Sequence, residues 1–485
     1  MSRRALALML PIAALVSLAC ASTPAPDVAG GGASSPAPAV IERAVPPVGQ
    51  ETVGVGRVPA GGHGSTAGTE SGPVALELEI TATVDRLAPA AIDFLETIVE
   101  VNSGTMNPEG VREVGRLFET ELAALGMQTR WIEMPSEVNR AGHLFAEVRG
   151  GDGPTVLLIG HLDTVFEPDS PFQDWERLDT DLARGPGVSD MKGGDAVILL
   201  ALQALHSAGR LDDLNVIVAL LGDEEETGTP LTISRQHLVE AAGRSDAALG
   251  FEGGVGGLQS ATVARRGFTD WRLTVRGEQG HSSVIFNDRY GAGAAFEAAR
   301  ILTALYDRLR GEDDLTFGAG ILVGGTSVAY DGESNRGSAF GKTNVIPSEA
   351  VIAGDLRTLT HDQLARAKES MRQIVSENLP RTSAEIEFRD SYPPMAPEPR
   401  NLELLQELDR VSRDLGMGPI TPVDPGKRGA ADISFAAQYT AALGGLGVVG
   451  KGAHTPEETV DLSSIPVMAK RAAILISRLG STNSD

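Results

Sequence analysis

The chain has 485 residues, room for about two or three domains and a large core. Hydrophobic residues at 42% and charged residues at 22% are the balance of an ordinary soluble globular protein. Lys+Arg 41 against Asp+Glu 65 gives a formal net charge of -24, which argues against nucleic acid as a partner.

Residues 1–20 read as a signal peptide: Arg3 and Arg4 precede an apolar run, Ala5 to Ala19, that is too short to cross a bilayer. Cys20 follows Ser17-Leu18-Ala19, where a bacterial lipoprotein signal is cleaved and its cysteine lipidated. Ser17 stands where such signals usually carry Leu, so an ordinary signal with an incidental cysteine is the alternative. Either way the expected location is exported, periplasmic or anchored on the extracytoplasmic side. Cys20 is the only cysteine, which excludes an internal disulfide framework and a cysteine-based zinc site. Residues 21–75, rich in Ala, Pro, Gly and Ser, read as a flexible linker, with His63 inside it.

Helical periodicity begins at Thr83–Val101 and recurs at Gly110–Leu125. Strand candidates then alternate with helices: strand Thr155–Ile159, helix Asp195–Ser207, strand Asn215–Leu221, helix Leu231–Ala242 and strand Ala247–Phe251. Such alternation predicts an α/β layer with a mixed, mostly parallel sheet, whose ligands gather beyond the carboxyl ends of the strands. From about Gly267 the pattern changes to strand Phe268–Arg276, helix Gly293–Arg310, strand Ala350–Arg357, helix Asp362–Glu377 and strand Ala384–Phe388. Two such passages predict a smaller inserted α+β domain. Helix Leu402–Leu415, strand Gly447–Val449 and helix Ser464–Leu479 return the chain to the first layer. The expected division is 76–266 and 386–485 for the large domain, with 267–385 inserted.

The chemistry sits at strand ends. His161 and Asp163 close the strand TVLLIGHLDTVF and point to one side of it, the pairing by which a carboxylate fixes a metal-ligating imidazole. Asp190 lies in the glycine-rich GPGVSDMKGG before a helix, where capping is its simpler use. The strand NVIVALLG runs into Asp223, Glu224, Glu225 and Glu226, four carboxylates whose mutual repulsion at a buried strand end calls for a cation, with a solvated acidic turn as the equal alternative. The strand ALGF ends in Glu252, and GKGAHTPEE carries His454 in a loop. Imidazole with carboxylate suits Zn²⁺, with Co²⁺ or Mn²⁺ as substitutes, and the set has room for two ions. Two ions would need a bridging carboxylate.

The order GHLDTVF, GVSDMKGG, DEE, FE, G-x-x-x-H and GAHTPEE resembles the di-zinc metallopeptidase family of glutamate carboxypeptidase, aminoacylase and succinyl-diaminopimelate desuccinylase. The resemblance runs from about Thr83 to Leu479. It implies that His161 and Glu252 hold one zinc, Glu225 and His454 the other, with Asp190 between them. Asp163 would orient His161 and Glu224 would be the general base. Family members commonly show D-E-E-x-G, and here one residue is extra. Counting from the strand selects Glu224 and Glu225, whereas counting back from Gly228 selects Glu225 and Glu226. The first register is preferred, because a rigid strand sets the acids and a loop absorbs an insertion.

The resemblance also implies a ferredoxin-like dimerisation or lid domain at 267–385 and a homodimer. His281 of RGEQGHSS and Asn344 of KTNVIPSEA would stabilise the oxyanion, His281 across to the partner's site. Arg357 of AGDLRTL would bind the substrate carboxylate. Read alone, these three are more simply a surface histidine, a turn residue and a strand charge. The implied reaction is hydrolysis of an amide next to a free carboxylate, with a peptide or N-acyl amino acid as substrate. Carboxypeptidase, aminoacylase or dipeptidase, and a non-catalytic exported binding lipoprotein are the alternatives, in that order.

Overall fold

In the computed structural model, residues 74–332 and 334–481 are described. The expected signal peptide, Cys20, and all but the last two residues of the expected linker lie outside them. The chain starts with helices α1 (Ala75–Val99) and α2 (Pro108–Ala124), then strands β1 (Gln128–Ile132), β2 (His143–Arg149) and β3 (Thr155–His161). Helix α3 (Lys192–Ser207), strand β4 (Asn215–Leu221), helix α4 (Gln236–Ala242) and strand β5 (Ala247–Gly250) follow. These strands form one sheet ordered β1-β2-β4-β3-β5, completed by a strand near residue 442. β3 is parallel to β4 and β5, while β2 runs antiparallel to β4 and β1 to β2. The reading from sequence passes over β1 and β2. β2 is buried along its first four residues and shows no alternation to betray it.

Alternate residues of β3 and β4 face opposite layers. Val156, Leu158, Val216, Val218 and Leu220 join the core under α1 and α3. Leu157, Ile159, Ile217, Ala219 and Leu221 join the core under α4. Burial on both faces explains why these segments read as continuous apolar runs. α3 approaches the sheet closely at Gly194, where a Cβ would stand 1.9 Å from the Phe251 carbonyl oxygen.

The inserted segment contains strand β6 (Gly267–Gly277), helix α5 (Gly293–Leu309), strands β7 (Ile321–Gly325) and β8 (Glu349–Thr358), helix α6 (His361–Ser376) and strand β9 (Thr382–Asp390). β9, β6, β8 and β7 are neighbours in that order and pair antiparallel throughout. This β-α-β-β-α-β arrangement is the ferredoxin-like motif. It has a core of its own, built from Trp271, Leu273, Ile301, Leu305, Ile352, Leu356 and Met371 among others. β9 runs on to Asp390, so a boundary after residue 385 falls inside a strand.

Helix α7 (Pro399–Asp414), strand β10 (Ala441–Leu443) and helix α8 (Ser464–Leu479) complete the large layer. Two expectations change here. The returning strand is β10, parallel to β5, and not Gly447–Val449. Residues 447–449 bond instead to the Glu252 carbonyl and the Ser464 hydroxyl as they wrap over the sheet end. The expected helix Leu231–Ala242 is two short helices, broken at Arg235.

Candidate metal centre

β3, β4 and β5 are parallel neighbours, so their carboxyl ends share one edge of the sheet. His161 is the last residue of β3, Glu224 and Glu225 lie just past β4, and Glu252 just past β5. Asp190 precedes α3. His454 comes from far along the chain, carried by an antiparallel pairing of Thr459–Asp461 with Leu182–Arg184, the strand leading to Asp190. His454 itself adopts φ 65°, a left-handed conformation that costs about 1–3 kcal/mol in a residue other than glycine.

Ligand atoms of His161, Asp190 and Glu225 lie within 4.8 Å of one another, and so do those of His161, Glu224 and Glu252. One Asp190 oxygen is 3.4 Å from His161 Nε2, and the other is 3.2 Å from His454 Nε2. His454 Nε2 also stands 3.1 Å from Glu225 Oε2. The carboxylate of Asp190 thus faces one imidazole on each side. Glu226 turns away from this cluster and pairs with Arg140 at 3.1 Å. Asp223 is buried and bonded to Arg235, Ser234 and the Gly228 N–H. Of the four adjacent acids, then, two have their own arginine, and only Glu224 and Glu225 face the cluster.

The backbone fixes the rest. His161 Nδ1 lies 3.0 Å from the carbonyl oxygen of Asp163 and 3.4 Å from its Oδ1. The Asp163 carboxylate accepts the Thr105 hydroxyl at 2.6 Å and the N–H groups of Glu224 and Glu225 at 3.0 and 3.1 Å. Glu458 accepts the N–H groups of Gly187, Ser189 and Asp190, and so holds the Asp190 loop.

The electrostatics are those of a site short of positive charge. Burial, with repulsion from Glu252 and other nearby carboxylates, raises Glu224 well above the usual carboxyl range. Burial raises Glu225 to about 7. The Asp190 and Glu225 carboxylates raise His454 to about 10. His161 Nε2 and Glu225 Oε1 are buried without a hydrogen-bond partner. Two bare donor atoms among imidazole and carboxylate oxygens fit divalent cations.

Three sequence candidates stand elsewhere. His281 and Asn344 are exposed neighbours on the ferredoxin-like unit, Nε2 to Nδ2 3.5 Å, His281 on the segment Gly280–His281 and Asn344 just before its partner Val345–Ile346. Arg357 on β8 is engaged by Asp355 at 2.9 Å and lies over the Phe268 ring. The reading from sequence missed Arg265 and Arg428, whose guanidiniums meet Glu252 Oε2 at 2.5 and 3.0 Å. With Lys451, they line an open cavity of about 350 Å³ shared with Asp190, Glu224, Glu225, Glu252 and His454. It also missed Glu458, although that residue stands in GAHTPEE, and Lys192 of GVSDMKGG. Lys192 is buried and donates to the carbonyls of Ile98 and Val101.

Residues 157–478 match the family described as Peptidase family M20/M25/M40. The chain belongs to this family of metallopeptidases. Carboxypeptidase G2 of Pseudomonas sp. (strain RS-16) is 26% identical over 399 residues, 81% of this chain and 90% of that protein. Succinyl-diaminopimelate desuccinylase of Stutzerimonas stutzeri is 27% identical over 397 residues, 79% of this chain and 96% of that one. Among solved structures, a tripeptidase from Staphylococcus aureus superposes with TM-score 0.62 at 16% identity, covering 81% of this chain and 98% of that one. A dinuclear metal-binding M20 peptidase from Bacillus subtilis gives TM-score 0.57 at 15% identity, over 82% and 99%. The fold of the M20 peptidases is therefore the fold of this chain, and the chain is a hydrolase of that family.

Proposed function

We propose that this protein is a zinc carboxypeptidase that hydrolyses the amide bond next to a free carboxylate and releases a C-terminal amino acid. The observation that carries the reading is Asp190, with one oxygen facing His161 and the other His454. That arrangement supports two cation positions, His161 with Glu252 on one side and Glu225 with His454 on the other. Zinc suits this mix of imidazole and carboxylate, and Co²⁺ or Mn²⁺ could replace it. Bound there, two such cations would polarise the scissile carbonyl and acidify the attacking water.

The protein groups do the remainder. Glu224, its proton affinity raised by burial, takes the proton of the attacking water and returns it to the leaving amine. Asp163 keeps the backbone of Glu224 and Glu225 in place while this happens. Arg357 would bind the substrate carboxylate, and Arg428, which lines the cavity, is a second candidate; each already has an acidic partner, Asp355 and Glu252 respectively. His281 and Asn344 would steady the oxyanion of a partner subunit's site in a homodimer. Export behind residues 1–20, with or without a lipid on Cys20, is proposed from the sequence alone.

A second reading, deacylation of N-acyl amino acids, is supported by the likeness to the desuccinylase. A panel of dipeptides and N-acyl amino acids, scored for release of free amino acid alongside metal analysis, separates the two. Glu224→Gln should abolish turnover while leaving about two metal ions per subunit. Glu226→Gln should stay near wild type. An active Glu224→Gln with an inactive Glu226→Gln would move the base to the shifted register.

A further inference from the structure

The chain crosses between the large layer and the ferredoxin-like unit twice, and the two crossings are bonded to each other. Phe268 N–H donates to the Tyr392 carbonyl at 2.8 Å and Ser391 N–H to the Phe268 carbonyl at 3.1 Å. Arg265 and Met395 exchange both backbone hydrogen bonds at 2.9 Å. The packing between them is tight: a Cβ on Gly267 would stand 2.6 Å from the Pro394 nitrogen. A ribbon this close moves as a unit and has little slack to absorb a rotation.

Each crossing also sends one side chain to an acid of the metal centre. On the outgoing segment, Arg265 is buried and donates to Glu252 Oε2 at 2.5 Å and to the carbonyls of Gly429 and Ala430. On the return, the Tyr392 hydroxyl donates to the Glu224 carbonyl at 3.0 Å. It also meets Thr227 Oγ1 at 3.0 Å and Arg235 Nη2 at 3.1 Å, while its ring packs edge-on against Phe435.

We propose that Tyr392 and Arg265 are positioning residues through which the setting of the ferredoxin-like unit controls where Glu224 and Glu252 stand. Nothing in the proton transfer itself requires a phenol on the backbone of Glu224. Its presence on the crossing segment ties that acid to the ferredoxin-like unit, and Arg265 does the same for the acid on the neighbouring strand. A displacement of about 1 Å at a reacting group costs on the order of 100-fold in rate, so a small rotation would suffice to switch the site between poised and slack.

This inference rests on Glu224 being the base, and the test separates the two ideas. Full-length Tyr392→Phe keeps the ring and loses only the hydroxyl. Its kinetics are measured on whichever dipeptide or N-acyl amino acid of the panel wild type cleaves fastest. The expected result is a kcat lower by on the order of tenfold, with KM changed by less than about twofold and metal content unchanged. Amide exchange over residues 222–230 should quicken in the same variant, a readout independent of turnover. A lower melting temperature with kcat and exchange as in wild type would show a structural tyrosine only and overturn the proposal. For the other crossing, Arg265→Lys should retain more kcat than Arg265→Met. If the Met variant fails to fold, the Lys variant is compared with wild type, and an Arg265 variant with wild-type kcat overturns that half. An active Glu224→Gln removes the reading of the base. An inactive Glu224→Gln beside a fully active Tyr392→Phe removes this inference alone.

Discussion

Asp163 does more than its spacing announces. The H-x-D pattern places it beside His161, and its backbone carbonyl and Oδ1 do stand against that ring. Its carboxylate also accepts two consecutive N–H groups, those of Glu224 and Glu225, from the neighbouring strand's exit. Burial would raise its pKa, yet His161, Thr105 and the Glu224 N–H together lower it. The second task was invisible in the sequence because nothing local says which strand lies beside β3. Asp163→Asn would aim an amide N–H₂ at a donor and lose a charge-assisted bond worth about 1.5–3 kcal/mol. We expect a lower melting temperature and a fall in kcat, both read on the purified full-length chain. Unchanged values for both would mean the two N–H groups find other acceptors.

At the scale of elements, the acidic run after β4 shows why a list of charges is not yet a site. Four adjacent carboxylates suggested a cation, but the fold assigns Arg235 to Asp223 and Arg140 to Glu226. Arg235 is buried between Asp223 and Asp432 and also reaches Tyr392. It sits where the expected helix Leu231–Ala242 breaks, and helical periodicity could not show that a charge there points inward. Long apolar strands and most amphipathic helices were legible to within a few residues, but α1 begins at Ala75 and not at the expected Thr83. β1, β2 and β10 were not: β1 and β10 are short edge strands, and β2 is buried along its first four residues without alternation. Arg235→Met would leave two buried acids without their counter-charge, a destabilisation of about 3–5 kcal/mol. Denaturant unfolding measures it, and a change below about 1 kcal/mol would contradict the network.

Over the whole molecule, two bodies with separate cores carry different parts of the proposed reaction. All the candidate metal ligands come from the large layer, and their order along the chain was readable from the motifs. His281 and Asn344 sit on the ferredoxin-like unit, exposed and paired with each other. Their distance from any task within one chain is what a symmetric dimer would explain. Mixing His281→Ala with Glu224→Gln should then restore about a quarter of the wild-type rate per subunit, since only one site in four pairs an intact base with an intact partner histidine. No recovery after subunit exchange, shown by differently tagged chains, would confine each site to its own subunit.

Glu458 has a consequence in time. It supplies the acceptor for three N–H groups of the Asp190 loop, which lies about 270 residues earlier in the chain. During synthesis the loop therefore waits for its anchor until nearly all of both bodies has emerged, and His454 arrives in the same stretch. Hydrolytic competence cannot precede Glu458, so a peptidase assembled in that order is silent while most of it is still being made.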